Sequence, residues 1–187
     1  MKRLLLILTT VVMLWWLSTG TANAAIADDV QKLLDTNECP VCILNEASLK
    51  NLDLAHANLK IAVLTNANLA GANLQEANLM LSDLEAANLT GANLTQAQLN
   101  GANLLKANLS GANLTGAEMT QANLEDANLE GANLENAIML SVTLGQANLK
   151  GANLKGANLR GVNRSQALLC QTIMPDGAVE NRNCPTP

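Results

Sequence analysis

The chain is predicted to be an all-β solenoid, from two observations: a strict five-residue period, and one large and one small apolar place within each period. Twenty-six consecutive units run from Cys42-Ile43-Leu44-Asn45-Glu46 to Ala167-Leu168-Leu169-Cys170-Gln171 without an insertion. Most read Ala-Asn-Leu followed by two variable residues, as in Ala67-Asn68-Leu69-Ala70-Gly71 and Ala112-Asn113-Leu114-Thr115-Gly116. On an α-helix, steps of five advance roughly 500°, so the leucines would wander over every face, whereas an amphipathic helix needs steps of three and four. In an uninterrupted strand, residues five apart fall on opposite faces, which would separate Leu69 from Leu74. The chain must therefore turn once per unit. Turns of one hand close the path into a coil, and each coil covers the apolar edge of the next.

The inward places agree with this. The third place is Leu in 23 of the 26 units, with Met119, Met139 and Arg164 as exceptions, and the first place is Ala in 21. A small residue beside each leucine lets leucines meet across a narrow interior. The other first-place residues are Cys42, Leu52, Ser82, Val142 and Val162. Leu52, Val142 and Val162 add volume, so the coil is expected to widen locally near both ends of the array.

This pattern resembles the pentapeptide-repeat family, whose unit is a small residue, Asn or Asp, Leu or Phe, then two variable residues. The resemblance covers residues 42–171, about 70% of the chain. It implies a right-handed quadrilateral β-helix with four units per coil, so 26 units give about six and a half coils and a rod of ~31 Å at the usual strand spacing. Residues twenty apart then become neighbours, which would pair Glu130 with Lys150 and Glu135 with Lys155 on the surface. Such exposed pairs contribute under ~1 kcal/mol each. Nine glycines share the fifth place of their units (Gly71, Gly91, Gly101, Gly111, Gly116, Gly131, Gly151, Gly156 and Gly161). Their common phase indicates tight corners, with positive φ at some of them, rather than phosphate loops.

Three pieces flank the array. Residues 1–24 read as a secretory signal peptide: basic Lys2 and Arg3, an apolar run from Leu4 to Leu17, and the cleavage signature Ala22-Asn23-Ala24. That run is too short for a stable membrane span, so an exported product cleaved after Ala24 is expected, with no membrane insertion. Removing Lys2 and Arg3 leaves 9 basic against 16 acidic residues, a formal net charge of -7, which argues against nucleic acid and anionic lipid as partners. Both tryptophans, Trp15 and Trp16, leave with the signal, and the chain has no Tyr or Phe, so no aromatic platform for bases or sugars remains. Residues 25–41 are expected to form an N-terminal helical cap. Its helix would span 28–36, with acidic residues at its start and Val30, Leu33 and Leu34 on one side. Residues 172–187 read as a C-terminal cap or tail, and Arg164 in an inward place marks the end of regular packing.

The cysteines are Cys39, Cys42, Cys170 and Cys184, two near each end of the array. An exported chain permits disulfides, and the array separates the pairs, so Cys39 with Cys42 and Cys170 with Cys184 is the favoured connectivity. The same arrangement resembles exported cyanobacterial members of the family, which implies the thylakoid lumen or the periplasm. Cys39-Pro40-Val41-Cys42 also matches the C-x-x-C redox pattern, and thiol redox and metal binding stand as alternatives. A redox pair, however, usually starts a helix, whereas this one follows the predicted helix. A zinc site of all four cysteines is weaker still, with the pairs at opposite ends.

Other chemistry is sparse. His56, the single histidine, occupies an outward place, and no Ser-His-Asp set or phosphate loop can be assembled around it. Glu118, Glu125, Asp126, Glu130 and Glu135 read as solvated surface rather than paired catalytic carboxylates. No catalytic, cofactor-binding or metal-binding residue is therefore assigned, and no cofactor is expected. The leading function is a non-enzymatic exported scaffold or protein-interaction module with an unknown protein partner. One alternative is a DNA-mimicking inhibitor, since some family members resemble duplex DNA and protect DNA gyrase, although export separates the chain from that cytoplasmic target. The other is a thiol redox module using Cys39 and Cys42. A mid-array truncation such as Leu94→Ala is expected to cost roughly 2–5 kcal/mol in chemical denaturation. A change within error would show that the third place does not face the core.

Overall fold

Each unit makes one short extended step and one tight turn. In the computed structural model, which describes residues 22–184, second-place residues form isolated parallel bridges with residues twenty positions away. All 24 bridges, from Glu38 with Asn58 to Asn153 with Ile173, keep that separation, so every coil has four sides. The pairing runs one unit beyond each end of the recognisable repeat. At most corners, those after Met139, Arg164 and Leu169 excepted, the first-place amide of the next unit bonds back to the third-place carbonyl, as Ala72 N to Leu69 O at 3.0 Å. The fifth-place residue there has φ near +60°, the signature of a type II turn. The nine fifth-place glycines have φ of 63–76°, but so do non-glycine corners at slightly lower values, such as Glu46 (59°), Gln96 (57°) and Lys106 (58°). The turn belongs to the repeat, and glycine only relieves its cost.

The second-place asparagine completes the hydrogen bonding. In the unit 92–96, Ala92 N bonds Leu89 O within the corner, Asn93 N bonds Ala72 O of the preceding coil, and Leu94 N and Gln96 N bond Asn113 O and Thr115 O of the following coil. The fourth amide, Thr95 N, has no backbone partner, and the Asn93 Oδ1 accepts from it at 3.2 Å. Pro40 and Pro175 fit the same rule: they occupy fourth places in units whose second residue is Glu38 or Ile173 instead of Asn, and proline has no N–H to satisfy.

The asparagines also bond to one another along the rod. Asn153 Nδ2 donates to Asn133 Oδ1 (3.0 Å), and Asn133 Nδ2 to Thr115 Oγ1 (2.9 Å), which donates to Asn113 Oδ1 (2.7 Å). Asn113 continues through Thr95 to Asn93, Asn93 Nδ2 donates to Asn73 Oδ1 (2.9 Å), and Asn73 Nδ2 to Asp53 Oδ1 (2.8 Å). A carboxylate ends the chain where an acceptor is needed and no donor is. On another side Asn123 donates to Asn103 and Asn103 to Asp83, below which lies Val63.

Third-place leucines and first-place alanines form one continuous core along the axis. The polar first-place residues are satisfied internally: Ser82 Oγ donates to Leu79 O (2.8 Å) and Thr172 Oγ1 to Leu149 O (2.7 Å). Leu52 and Val162, too large for their places, remain partly exposed, while Val142 is buried. Helix α1 (Ala22–Thr36) buries Leu33 in the core and packs Ile26 and Val30 against it. It starts six residues before the expected 28, so Asp28 and Asp29 lie in its middle instead of its first turn. At the other end β1 (Thr172–Ile173) pairs antiparallel with β2 (Val179–Glu180). Among the described residues no helix is long and apolar enough to cross a membrane. Lys2, Arg3, the run from Leu4 to Leu17 and both tryptophans lie outside the described residues.

Asn93→Ala removes the acceptor of the Thr95 amide and hydroxyl, and is expected to cost about 1–3 kcal/mol in urea unfolding. Asn93→Asp keeps that acceptor but sets a carboxylate against Asn73 Oδ1, and should fall between Asn93→Ala and the parent chain. Equal stability of all three would remove the asparagine ladder from the account.

Candidate functional site

The N-terminal cysteine pair sits where α1 meets the first coil. Cys39 takes a third place and Cys42 the following first place, so the two replace the leucine and alanine that flank a corner. Their sulfurs lie 2.04 Å apart with Cα atoms at 5.3 Å, and both residues are buried. Pro40 and Val41 form the corner between them, closed by Cys42 N to Cys39 O at 3.4 Å. From α1, the Asp29 carbonyl oxygen lies 3.2 Å from Cys39 Sγ, and Asp29 Oδ2 accepts from Ile43 N at 2.7 Å. Lys32 Nζ stands 4.0 Å from Cys42 Sγ. The Asp29 carboxylate and the two sulfurs thus gather within 4.8 Å, a donor set that a metal could use only with the sulfurs separated and reduced. The pair lies beside the middle of α1 and not at its N-terminus, so the helix dipole gives no help to a thiolate.

At the opposite end Cys170 and Cys184 place their sulfurs 2.11 Å apart, across 14 residues of chain that hold β1 and β2. Cys170 is buried and Cys184 half-buried. Arg164 does not enter the core: it is partly exposed and lines a recess of about 470 Å³ with Met174, Asp176 and Glu180. A second recess, about 300 Å³, opens where Gly145 carries positive φ (43°) in the fourth place of its unit. Glu125, Ser141, Thr143, Asn163 and Gln166 line it.

The remaining polar residues are spread over the surface. Lys150 Nζ meets Glu130 Oε1 at 3.2 Å, as the twenty-residue spacing predicts, but Glu135 and Lys155 form no ion pair among the described residues. His56 pairs through Nδ1 with Glu76 Oε2 at 3.5 Å, a twenty-residue neighbour that the sequence reading missed. Glu118 accepts from Asn100 Nδ2 at 3.1 Å, which ties one member of the acidic group into the surface network. Val41, Ile61 and Leu81 were also missed: they stack on one corner and are exposed, and their twenty-residue spacing was the available signal.

A four-sided coil of five-residue units with Asn in the second place and Leu in the third is matched by the sequence profile "Pentapeptide repeats (8 copies)" over residues 42–80, 77–116, 102–140 and 141–174. The chain belongs to the pentapeptide repeat family. Proteins of this family fold as right-handed quadrilateral β-helices. Solved structures similar to this pentapeptide repeat protein include HetL, involved in heterocyst differentiation regulation in the cyanobacterium Nostoc, at 34% identity over 76% of each chain and a TM-score of 0.41. A pentapeptide repeat protein of the cyanobacterium Cyanothece is 29% identical over 76% of this chain and 98% of its own, with a TM-score of 0.33. One from the Arabidopsis thaliana thylakoid lumen is 28% identical over 70% of each chain, with a TM-score of 0.30. No curated protein sequence matches the chain.

Proposed function

We propose that this pentapeptide repeat protein is an exported, non-enzymatic scaffold that binds a protein partner through the outward places of its coils. One observation carries the reading: the ladder of coil-to-coil bonds holds second-, fourth- and fifth-place side chains on a fixed grid, one row per coil. A grid of that kind presents many weak contacts in constant geometry, which lowers the ordering cost of association. Export rests on the basic, apolar and Ala22-Asn23-Ala24 segments of the first 24 residues, and the resemblance to exported cyanobacterial members of the family favours the thylakoid lumen or periplasm as the compartment. Cleavage after Ala24 would leave the part of α1 that carries Ile26, Val30 and Leu33, which serves as the cap of the first coil. Residues 172–184 close the other end.

Both cysteine pairs act as staples in this reading, one fixing the corner of the first coil beside α1 and one holding the tail. Burial of Cys39 and Cys42 denies a partner's thiol access to their sulfurs, which favours a structural bridge over redox exchange. Under a dithiol reductant without denaturant, Cys170 and Cys184 are expected to be alkylated well before Cys39 and Cys42, which should react only on unfolding. Rapid native labelling of Cys39 and Cys42 would instead favour the redox reading.

The scaffold itself is tested by native capture of the processed, tagged protein from its own compartment, with a charge-matched solenoid as control. A stoichiometric partner that is lost when the outward residues of one side are replaced is the expected result. No partner after crosslinking, or one insensitive to changes on every side, would sink the proposal.

A further inference from the structure

Every corner stacks the fifth-place residues of successive coils, and the four corners differ in what they stack. Three of them carry glycine, polar or charged residues and a single alanine, Ala86. The fourth begins with Val41, Ile61 and Leu81 on three consecutive coils, followed by Gly101. No other corner holds a large aliphatic residue. All three have left-handed backbone, with φ of 63°, 61° and 57°, a conformation disfavoured by bulky and especially β-branched side chains. All three are also exposed, at 66%, 45% and 56%, so burial within the chain does little to offset that cost. Ile43, 50% exposed, widens the ridge beside Val41. The Cys39 and Cys42 pair brackets Pro40-Val41 and so holds the first rung in place. Leu81 leans over Gly101, where an added Cβ would come within 2.6 Å of its Cδ2, and the ridge ends there.

We propose that this aliphatic ridge is the contact surface for a second copy of the chain, the two rods lying side by side and parallel about a two-fold axis along their length. The rungs repeat at the strand spacing of ~4.8 Å, which another coil stack matches in register over all three and an α-helix, with its 5.4 Å pitch, does not. The charges beside the ridge are complementary under the same symmetry. Lys60 precedes the Ile61 corner, and Asp83, whose Oδ1 already accepts from Asn103 Nδ2, follows the Leu81 corner, so the two-fold axis brings Lys60 of each copy to within one rung of Asp83 of the other, a gap that a lysine side chain spans. A ridge of a few aliphatic side chains falls below the ~800 Å² per partner of a standard interface, so the dimer is weak, with a Kd on the order of 10–100 μM.

Sedimentation equilibrium of the protein purified from its own compartment tests this directly. The mass is expected to rise from monomer toward dimer across that concentration range. Ile61→Asn and Leu81→Asn should each weaken association about tenfold while leaving the thermal midpoint unchanged or higher, because asparagine tolerates left-handed backbone. Opposite effects on association and folding separate a contact role from a structural one. Leu81→Cys should crosslink to itself with a short bis-maleimide, as like rungs meet in the parallel arrangement. A monomer at every concentration, a dimer insensitive to both asparagine variants, or crosslinking of Leu81→Cys only to Val41→Cys would overturn the proposal.

Discussion

The demand that five backbone amides find partners in every five residues governs the rest of this fold. A coil whose sides are so short cannot run ordinary strands, and each corner takes one amide out of the ladder. Two amides reach the following coil, one reaches the preceding coil, one closes the corner, and the fourth-place amide is left over. Left unpaired and shielded from water such an amide would cost about 1–3 kcal/mol, and since the fourth-place residues are mostly half-buried or exposed only part of that penalty applies. The second-place asparagine removes it with a side-chain carbonyl, and its amide group then joins the coils in series. Asparagine suits this place because it donates and accepts at once. Aspartate serves only where a series begins, as at Asp53 and Asp83.

The same geometry confines chemistry to the surface. First and third places fill a narrow interior with alanine and leucine, and the polar exceptions, Ser82 and Thr172, satisfy themselves on nearby carbonyls. Of the larger first-place residues, Leu52 and Val162 stay partly exposed while Val142 is buried. Recesses appear where the repeat is irregular, around Gly145 and near Arg164, and the regular sides form a grid of exposed side chains. What such a rod offers outward is the pattern of its side chains.

The inward places were legible in the sequence because they follow a period that neither a helix nor a strand can hold. The Glu130 to Lys150 contact was legible from spacing once four units per coil were assumed. The flanking units 37–41 and 172–176 were not, since they lack Ala-Asn-Leu altogether. They obey the rule by other means, with Cys39 and Met174 in the third place and proline where the fourth amide would need an acceptor. The early start of α1 was hidden because Ala22-Asn23-Ala24 carries a cleavage signature and Asp28 resembles a helix start. Corner conformation was half legible: glycine marked it, but Glu46, His56 and Lys106 adopt it without glycine's freedom.

Because a non-glycine residue at a left-handed corner bears steric strain that glycine escapes, composition there is a choice against a default. On one corner the default is taken almost throughout: Gly71, Gly91, Gly111, Gly131 and Gly151 stack on five consecutive coils, leaving an edge of nearly bare backbone. That corner stands two units from the one bearing Val41, Ile61 and Leu81, hence diagonally across the four-sided coil. The rod is therefore uniform inside and polarised outside. Its core repeats because hydrogen bonding and packing leave it no alternative, and its corners differ because the fold constrains their backbone and leaves their side chains free.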